Sequence, residues 1–158
     1  MNLAESYFTE VSILMSNVYP DWWCDTVTLY NKYEAPNKEV TWYRTVLTGC
    51  FWKYTTDYER VDDVTQVTKV LLCRVRKNKK YIDCYEWREL ADKSSRFTFN
   101  EGDILIRGKV EDIVDDYLQG HRASDLLKKY KDRCAEITES RDNTGGGRVD
   151  EHYLVRGI

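Results

Sequence analysis

A two-residue alternation of apolar and polar side chains, interrupted at intervals by residues that reverse a chain, is the feature that most constrains this sequence. In DTVTLYNKY, Asp25 to Tyr33, Val27 and Leu29 alternate with Thr28 and Tyr30. Side chains on a strand point to opposite faces in turn, so this spacing predicts a strand. EAPNKE then offers Pro36 and Asn37 as turn residues, and TWYRTVLTGCFWKYT, Thr41 to Thr55, reads as a long aromatic second strand. In TQVTKVLLCRVRK the residues Val67, Leu71, Cys73 and Val75 share one face broken only by Lys69, which predicts a third strand. A fourth opens at the Glu101-Gly102-Asp103 turn, with Ile104 and Ile106 on one face and Gly108 permitting a bend before Val110. The tail pairs AEITESRDN with HYLVRGI across Gly145, Gly146 and Gly147, as a closing hairpin.

Two segments read as helix. Leu3, Tyr7, Val11, Leu14 and Met15 recur at helical steps over residues 1–17, and ASDLLKKYKDR carries Leu126, Leu127 and Tyr130 with Ser124 or a neighbour as its cap. The expected fold is therefore mainly β: a small antiparallel β-barrel or curved sheet with an N-terminal helix, one short helix and a C-terminal hairpin. Residues 1–158 form one domain in this reading, with the barrel over 25–158 and a long loop over 77–100. Val27, Leu29, Val46, Val67, Leu71, Ile104, Ile106 and Val155 are its expected core.

Composition narrows the function classes. With 27 acidic against 24 basic residues the chain carries a net charge of −3, which disfavours a binder that must neutralise many phosphates. Twelve tyrosines and five tryptophans suit half-buried strands and protein interfaces. The five cysteines are odd in number, widely spaced and without a C-x-x-C pair, so they read as free thiols rather than a disulfide framework or zinc site. The N-terminus is acidic where a signal peptide would be basic, and no apolar run approaches the ~20 residues of a membrane span, so a soluble cytoplasmic product is expected.

No motif for chemistry emerges. His121 and His152 have no partners at metal-ligand spacing, no G-x-S-x-G is present, and the glycine run before Arg148 lacks the Lys-Ser or Lys-Thr of a phosphate loop. Neither a catalytic centre, a metal nor a cofactor is expected. The acidic set Asp57, Glu59, Asp62 and Asp63 departs from calcium-loop spacing and reads as a solvated loop. The basic run Arg74, Arg76, Lys77, Lys79, Lys80 lies near Tyr81 and Tyr85. It reads as a nucleic-acid contact, as the solvated end of a strand and its turn, or as a patch that meets the acidic segment of a neighbouring copy.

Four islands carry a family resemblance: DTVTLYNKY, WYRTVLTGCFW from Trp42 to Trp52, FNEGDILIRGKV from Phe99 to Val110, and the final HYLVRGI. Their order and wording resemble the head-to-tail stopper, or head-closure, proteins in the neck of long-tailed bacteriophages of Gram-positive hosts. The resemblance implies a β-barrel assembled as a hexameric ring between a portal-side adaptor and a tail terminator or tail-completion protein. Such a ring helps retain packaged DNA without reading its sequence. It further implies a virion protein assembled in the host cytoplasm, with no membrane partner. In stoppers a loop between two barrel strands projects into the channel; its counterpart here is Tyr54 to Thr65, with Asp57, Tyr58, Glu59, Arg60, Asp62 and Asp63. The N-terminal helix and the loop over 77–100 are longer than a minimal stopper barrel needs. Tyr81, Tyr85, Trp87 and Phe97 in that loop interleave aromatic rings with charge, as a subunit or ring interface would. Another neck or tail-completion protein, and then a nucleic-acid-binding module, are the alternative readings.

Overall fold

A computed structural model describes residues 19–147 and 150–158. The helix expected over 1–17 lies outside the described residues. Among the described residues six strands carry the fold: β1 (Asp25–Glu34), β2 (Val40–Val61), β3 (Val64–Arg76), β4 (Ile104–Arg107), β5 (Cys134–Asn143) and β6 (His152–Gly157). All pairings are antiparallel, and the neighbour order β1-β2-β3-β6-β5-β4 returns to β1, closing the sheet as a barrel. Closure removes the unpaired edges that an open sheet would present.

The interior is filled from every strand: Val27 and Leu29, Leu47, Cys50 and Trp52, Leu71, Cys73 and Val75, Leu105, Ala135 and Ile137, Tyr153 and Val155. On β2 the inward residues step from Leu47 to Cys50, an odd interval that a strict alternation forbids. A bulge absorbs it. The β1–β2 register shifts between Asp25↔Cys50 and Val27↔Leu47, and Gly49 sits at φ 66°, where a side chain would be strained and would meet the Arg76 guanidinium. This is why Leu47 is buried while Val46, expected in the core, is only half-buried.

A second apolar cluster lies on the other face of β1 and β4. Tyr30, Ile104 and Ile106 are covered there by Val110, Val114 and the Leu126 side chain of a helix over Ala123–Lys129. Strand β1 is thus buried on both faces, and its Thr28 and Tyr30 are as inaccessible as Val27 and Leu29. The helix is capped by carboxylates rather than by Ser124. Asp125 accepts from the Arg122 backbone N–H (3.1 Å) and Asp116 from that of Ala123 (2.9 Å).

The segment 77–100, expected as a loop, contains a helix, α1 (Cys84–Glu89), and a 3₁₀ turn over Lys93–Ser95. The Asp83 carboxylate caps α1 by accepting from the Tyr85 N–H at 2.8 Å. With α1 defined, the helix over Ala123–Lys129 is α2. The six residues of α1 are too few to show a helical period, so the element stays hidden in the sequence until Trp87 finds its partners.

Candidate functional site

The segment Tyr54 to Thr65 is not an irregular loop. β2 and β3 continue in register through Thr56↔Lys69, Asp57↔Thr68, Tyr58↔Val67, Glu59↔Gln66, Arg60↔Thr65 and Val61↔Val64. Asp62 and Asp63 close the hairpin with φ of 49° and 64°, the left-handed pair of a two-residue type I′ turn, a conformation that aspartate tolerates better than most side chains. The strands β1 and β6 that flank β2 and β3 pair only as far as Cys50 and Leu71. Beyond them no other described strand flanks the hairpin, and every residue from 56 to 69 is exposed. Six paired rungs at roughly 3.4 Å each make an arm about 20 Å long. Val67, expected in the core, sits on this arm and is 61% exposed, because the barrel ends before it.

Alternation gives the arm two different faces. One continues the outer surface of the barrel and presents Asp57, Glu59, Val61, Val64, Gln66 and Thr68, with carboxylates as its only charges. Asp57 is held at its root by the Arg156 guanidinium at 3.0 Å. The other continues the line of the barrel interior and presents Thr56, Tyr58, Arg60, Thr65, Val67 and Lys69. There Tyr58 and Val67 form a cross-strand pair, 72% and 61% exposed, flanked by two cations. Lys69 Nζ lies 3.9 Å from the centroid of the Tyr54 ring, and Arg60 reaches Asp63 at 2.9 Å. The expected acidic residues are therefore brought together on one hairpin but divided between its outer face and its turn.

The residues expected at a subunit interface are separated by the fold. Trp87 is 2% exposed and Phe97 wholly buried, so these two are core and not available to a partner, a correction to the sequence reading. The Trp87 indole lies edge-on to Tyr33 and Tyr43 and donates to the Lys93 carbonyl at 3.2 Å. Phe97 and Phe99 pack on the Tyr81 ring, which lies 4.1 Å centroid to centroid from Tyr153. Burial pushes the Tyr81 phenol up to about 12. Tyr81 is half-buried, and Tyr85, beside Arg88, is the one residue of the four that is exposed. Aromatic residues interleaved with charge describe an interface and a helix docked on a sheet equally well, and only the docking distinguishes them.

The basic run is partly tied down. The Arg76 guanidinium donates to the Trp23 carbonyl at 3.0 Å and lies over Tyr19, and Lys77 pairs with Glu151 at 2.7 Å, while Lys79 and Lys80 remain exposed. Among the described residues no three His, Cys, Asp or Glu side chains are placed to hold a metal ion. His152 lies edge-on to Trp23 and His121 is exposed. All five cysteines are free; Cys50 and Cys73 are buried, and the neighbouring Cys50 thiol together with burial holds the Cys73 thiol well above its ordinary range.

Among the described residues the carboxyl pushed furthest up is one that sequence reasoning treated only as a turn residue. Asp103, 1% exposed, accepts from the backbone N–H groups of Lys32 and Asn100 and from Asn31 Nδ2, each at 2.8 Å. Burial still outweighs these donors and raises its carboxyl to about 6. The donors pin the turn before β4 to β1 and to the end of the 77–100 segment, a structural task.

Sequence left a second surface feature unread, on the far side of the barrel. The connection between β4 and α2 is ordered by its own polar contacts: the Trp42 indole donates to Asp116 at 2.7 Å, and Tyr117 Oη accepts from the Val40 N–H at 3.0 Å. It nonetheless turns Ile113, Tyr117 and Leu118 outward, at 77%, 67% and 52% exposure. Ile113, Tyr117 and Trp42 border an open groove whose charged lining residues, Glu39 and Asp115, are both acidic.

A family model matches residues 24–158, nearly the whole described chain; it is that of a family of unknown function, DUF6751. The chain belongs to this family. No curated protein and no solved structure matches it. The DUF6751 match begins at the residue before β1 and runs through β6, so the family is defined on the barrel, the arm and the covered 77–100 segment together.

Proposed function

We propose that this DUF6751 protein is a non-enzymatic structural component of a bacteriophage neck. In this reading it is a head-to-tail stopper that assembles as a ring, joins the portal-side adaptor to the tail terminator or tail-completion protein, and helps retain packaged DNA. The observation that carries the reading is the arm. A closed barrel needs no hairpin that runs about 20 Å past its last supporting strand, and an isolated two-stranded ribbon gains little stability of its own. Such an element is kept for what it reaches. Its outer face carries Glu59 and, paired with Arg156 at the root, Asp57, and its turn carries Asp62 and the Asp63 that Arg60 reaches. Carboxylates at the wall of a DNA channel repel the phosphates and prevent sticking, while a ring of such arms narrows the passage sterically.

The resemblance over Asp25 to Tyr33, Trp42 to Trp52 and Phe99 to Val110 supports the same reading. The exposed Tyr85 and the cations Lys79 and Lys80 are then available to a neighbouring ring.

The test is to shorten the arm in its own register. Thr55 and Val70 are paired, so replacing Thr56 to Lys69 by Asn-Gly closes the hairpin at the barrel rim. Phage carrying this change are expected to fill their heads and then lose DNA before tail attachment. Full DNA retention would overturn the stopper role and leave a passive neck or tail-completion adaptor.

A further inference from the structure

We infer that the cationic, apolar face of the arm docks into the acidic groove beside Trp42 on a second copy of this chain, so that copies join head to tail. The inference rests on the ring reading above and names the surface through which neighbouring copies meet.

Three observations carry it. The first is the pairing of Tyr58 with Val67 on a ribbon that no described element covers: two exposed apolar side chains opposite one another form an anchor, flanked by Arg60 and Lys69. The second is complementarity. The groove offers Ile113, Tyr117 and the Trp42 ring as apolar surface, with Glu39 and Asp115 as charge, so each element supplies what the other lacks. Among the described residues Arg60 pairs with Asp63 alone, both partners largely in solvent, a contact that a stronger partner can replace. The third is placement. The groove lies at the Val40 end of β2 and the arm at its Val61 end, so the arm of one copy extends away from its own groove. Two complementary surfaces at opposite ends of one subunit make a heterologous contact, which closes into a ring when the rotation between copies permits.

The groove is also ready-made. Its wall is fixed by the Trp42–Asp116 and Val40–Tyr117 hydrogen bonds, so docking orders little more than a few side chains. With the Tyr58 face against the neighbour, the Asp57 and Glu59 face is left outward, as the channel reading requires.

A photo-crosslinking residue at Val67 of the full chain tests the contact, because that position is exposed and tolerates replacement. Crosslinks between copies are expected, mapping to residues 39–42 and 111–118. Arg60→Glu with Lys69→Glu is expected to weaken self-association, followed by sedimentation, by about tenfold or more, and Glu39→Lys with Asp115→Lys in the same chain to restore it. Intermolecular crosslinks that map to another face, or a charge reversal that leaves self-association unchanged, would overturn the docking while the ring reading stands. A chain that stays monomeric at every concentration would also overturn it, and the DNA-retention assay on arm-shortened phage then judges the ring reading separately.

Discussion

Strands β2 and β3 pass through two environments without a break in their pairing. Between Cys50 and Trp52 on one strand, and Leu71 and Val75 on the other, inward side chains are sealed in the barrel; from Thr56 to Lys69 both faces of the same ribbon meet solvent. The backbone hydrogen bonds are the same in kind. What differs is the third and fourth neighbour: β1 and β6 stop, and with them the core. Regular structure and burial are therefore separate properties of a strand, and the residues that follow the barrel's inward line past its rim, Tyr58 and Val67, keep the chemistry of a core without its cover.

The contrast can be broken by substitution. Trp87→Ala, in the segment that packs on Tyr33 and Tyr43, is expected to cost about 3–5 kcal/mol in urea unfolding, because it empties a fully covered site and strands the Lys93 carbonyl it serves. A loss below about 1 kcal/mol would mean that the segment is a loosely held interface loop after all. Leu71→Ala, the last inward residue that β6 supports, is expected to cost about 2–5 kcal/mol by the same measurement. Its counterpart four residues earlier on the same strand, Val67→Ala, is expected to stay within about 0.5 kcal/mol, and a larger loss would show the arm to be covered in the isolated chain.

Between these in size lies a pH effect confined to the barrel. A carboxyl raised to about 6 in the folded chain, against about 3.9 unfolded, holds its proton more tightly when folded. The folded state then binds more protons than the unfolded one between those values, so this group's contribution falls as pH rises from about 4 to 6 and stays at its lower level above. The unfolding free energy of the wild type relative to Asp103→Asn is expected to drop by up to about 2 kcal/mol over that window. A flat difference would mean that the three donors to Asp103 hold its carboxylate better than burial disfavours it. The smallest effect is expected from the arm as a whole: Thr56 to Lys69 replaced by Asn-Gly should leave the thermal midpoint within a few degrees, since the deleted residues contribute no buried side chain.

Much of the barrel was legible from two-residue alternation, because that spacing is set by strand geometry within a few residues. Val27, Leu29, Leu71, Ile104, Ile106 and Val155 are buried as their pattern predicts, and the final hairpin pairs across the glycine run. The hairpin turn at Asp62 and Asp63 was less visible, since the acidic stretch around it looks like a loop by composition. Its strand-forming Tyr58, Val61, Val64 and Val67 were the signal that could have found it.

Local pattern thus determined where most of the strands run and, for β1, β3 and β6, one apolar side, since both depend on near neighbours in the chain. Tertiary structure decided everything that depends on where a neighbour ends. It placed Val67 outside and Trp87 and Phe97 inside, shifted β2 by one residue at Gly49 so that Leu47 and Cys50 both face the core, and buried the outer face of β1 under α2. It also set the arm's two faces and the groove beside Trp42 at opposite ends of one strand. Burial is a property of what lies across the gap from a side chain, and the residues that fill that gap are distant in sequence, as Tyr33 is from Trp87 and β1 from α2.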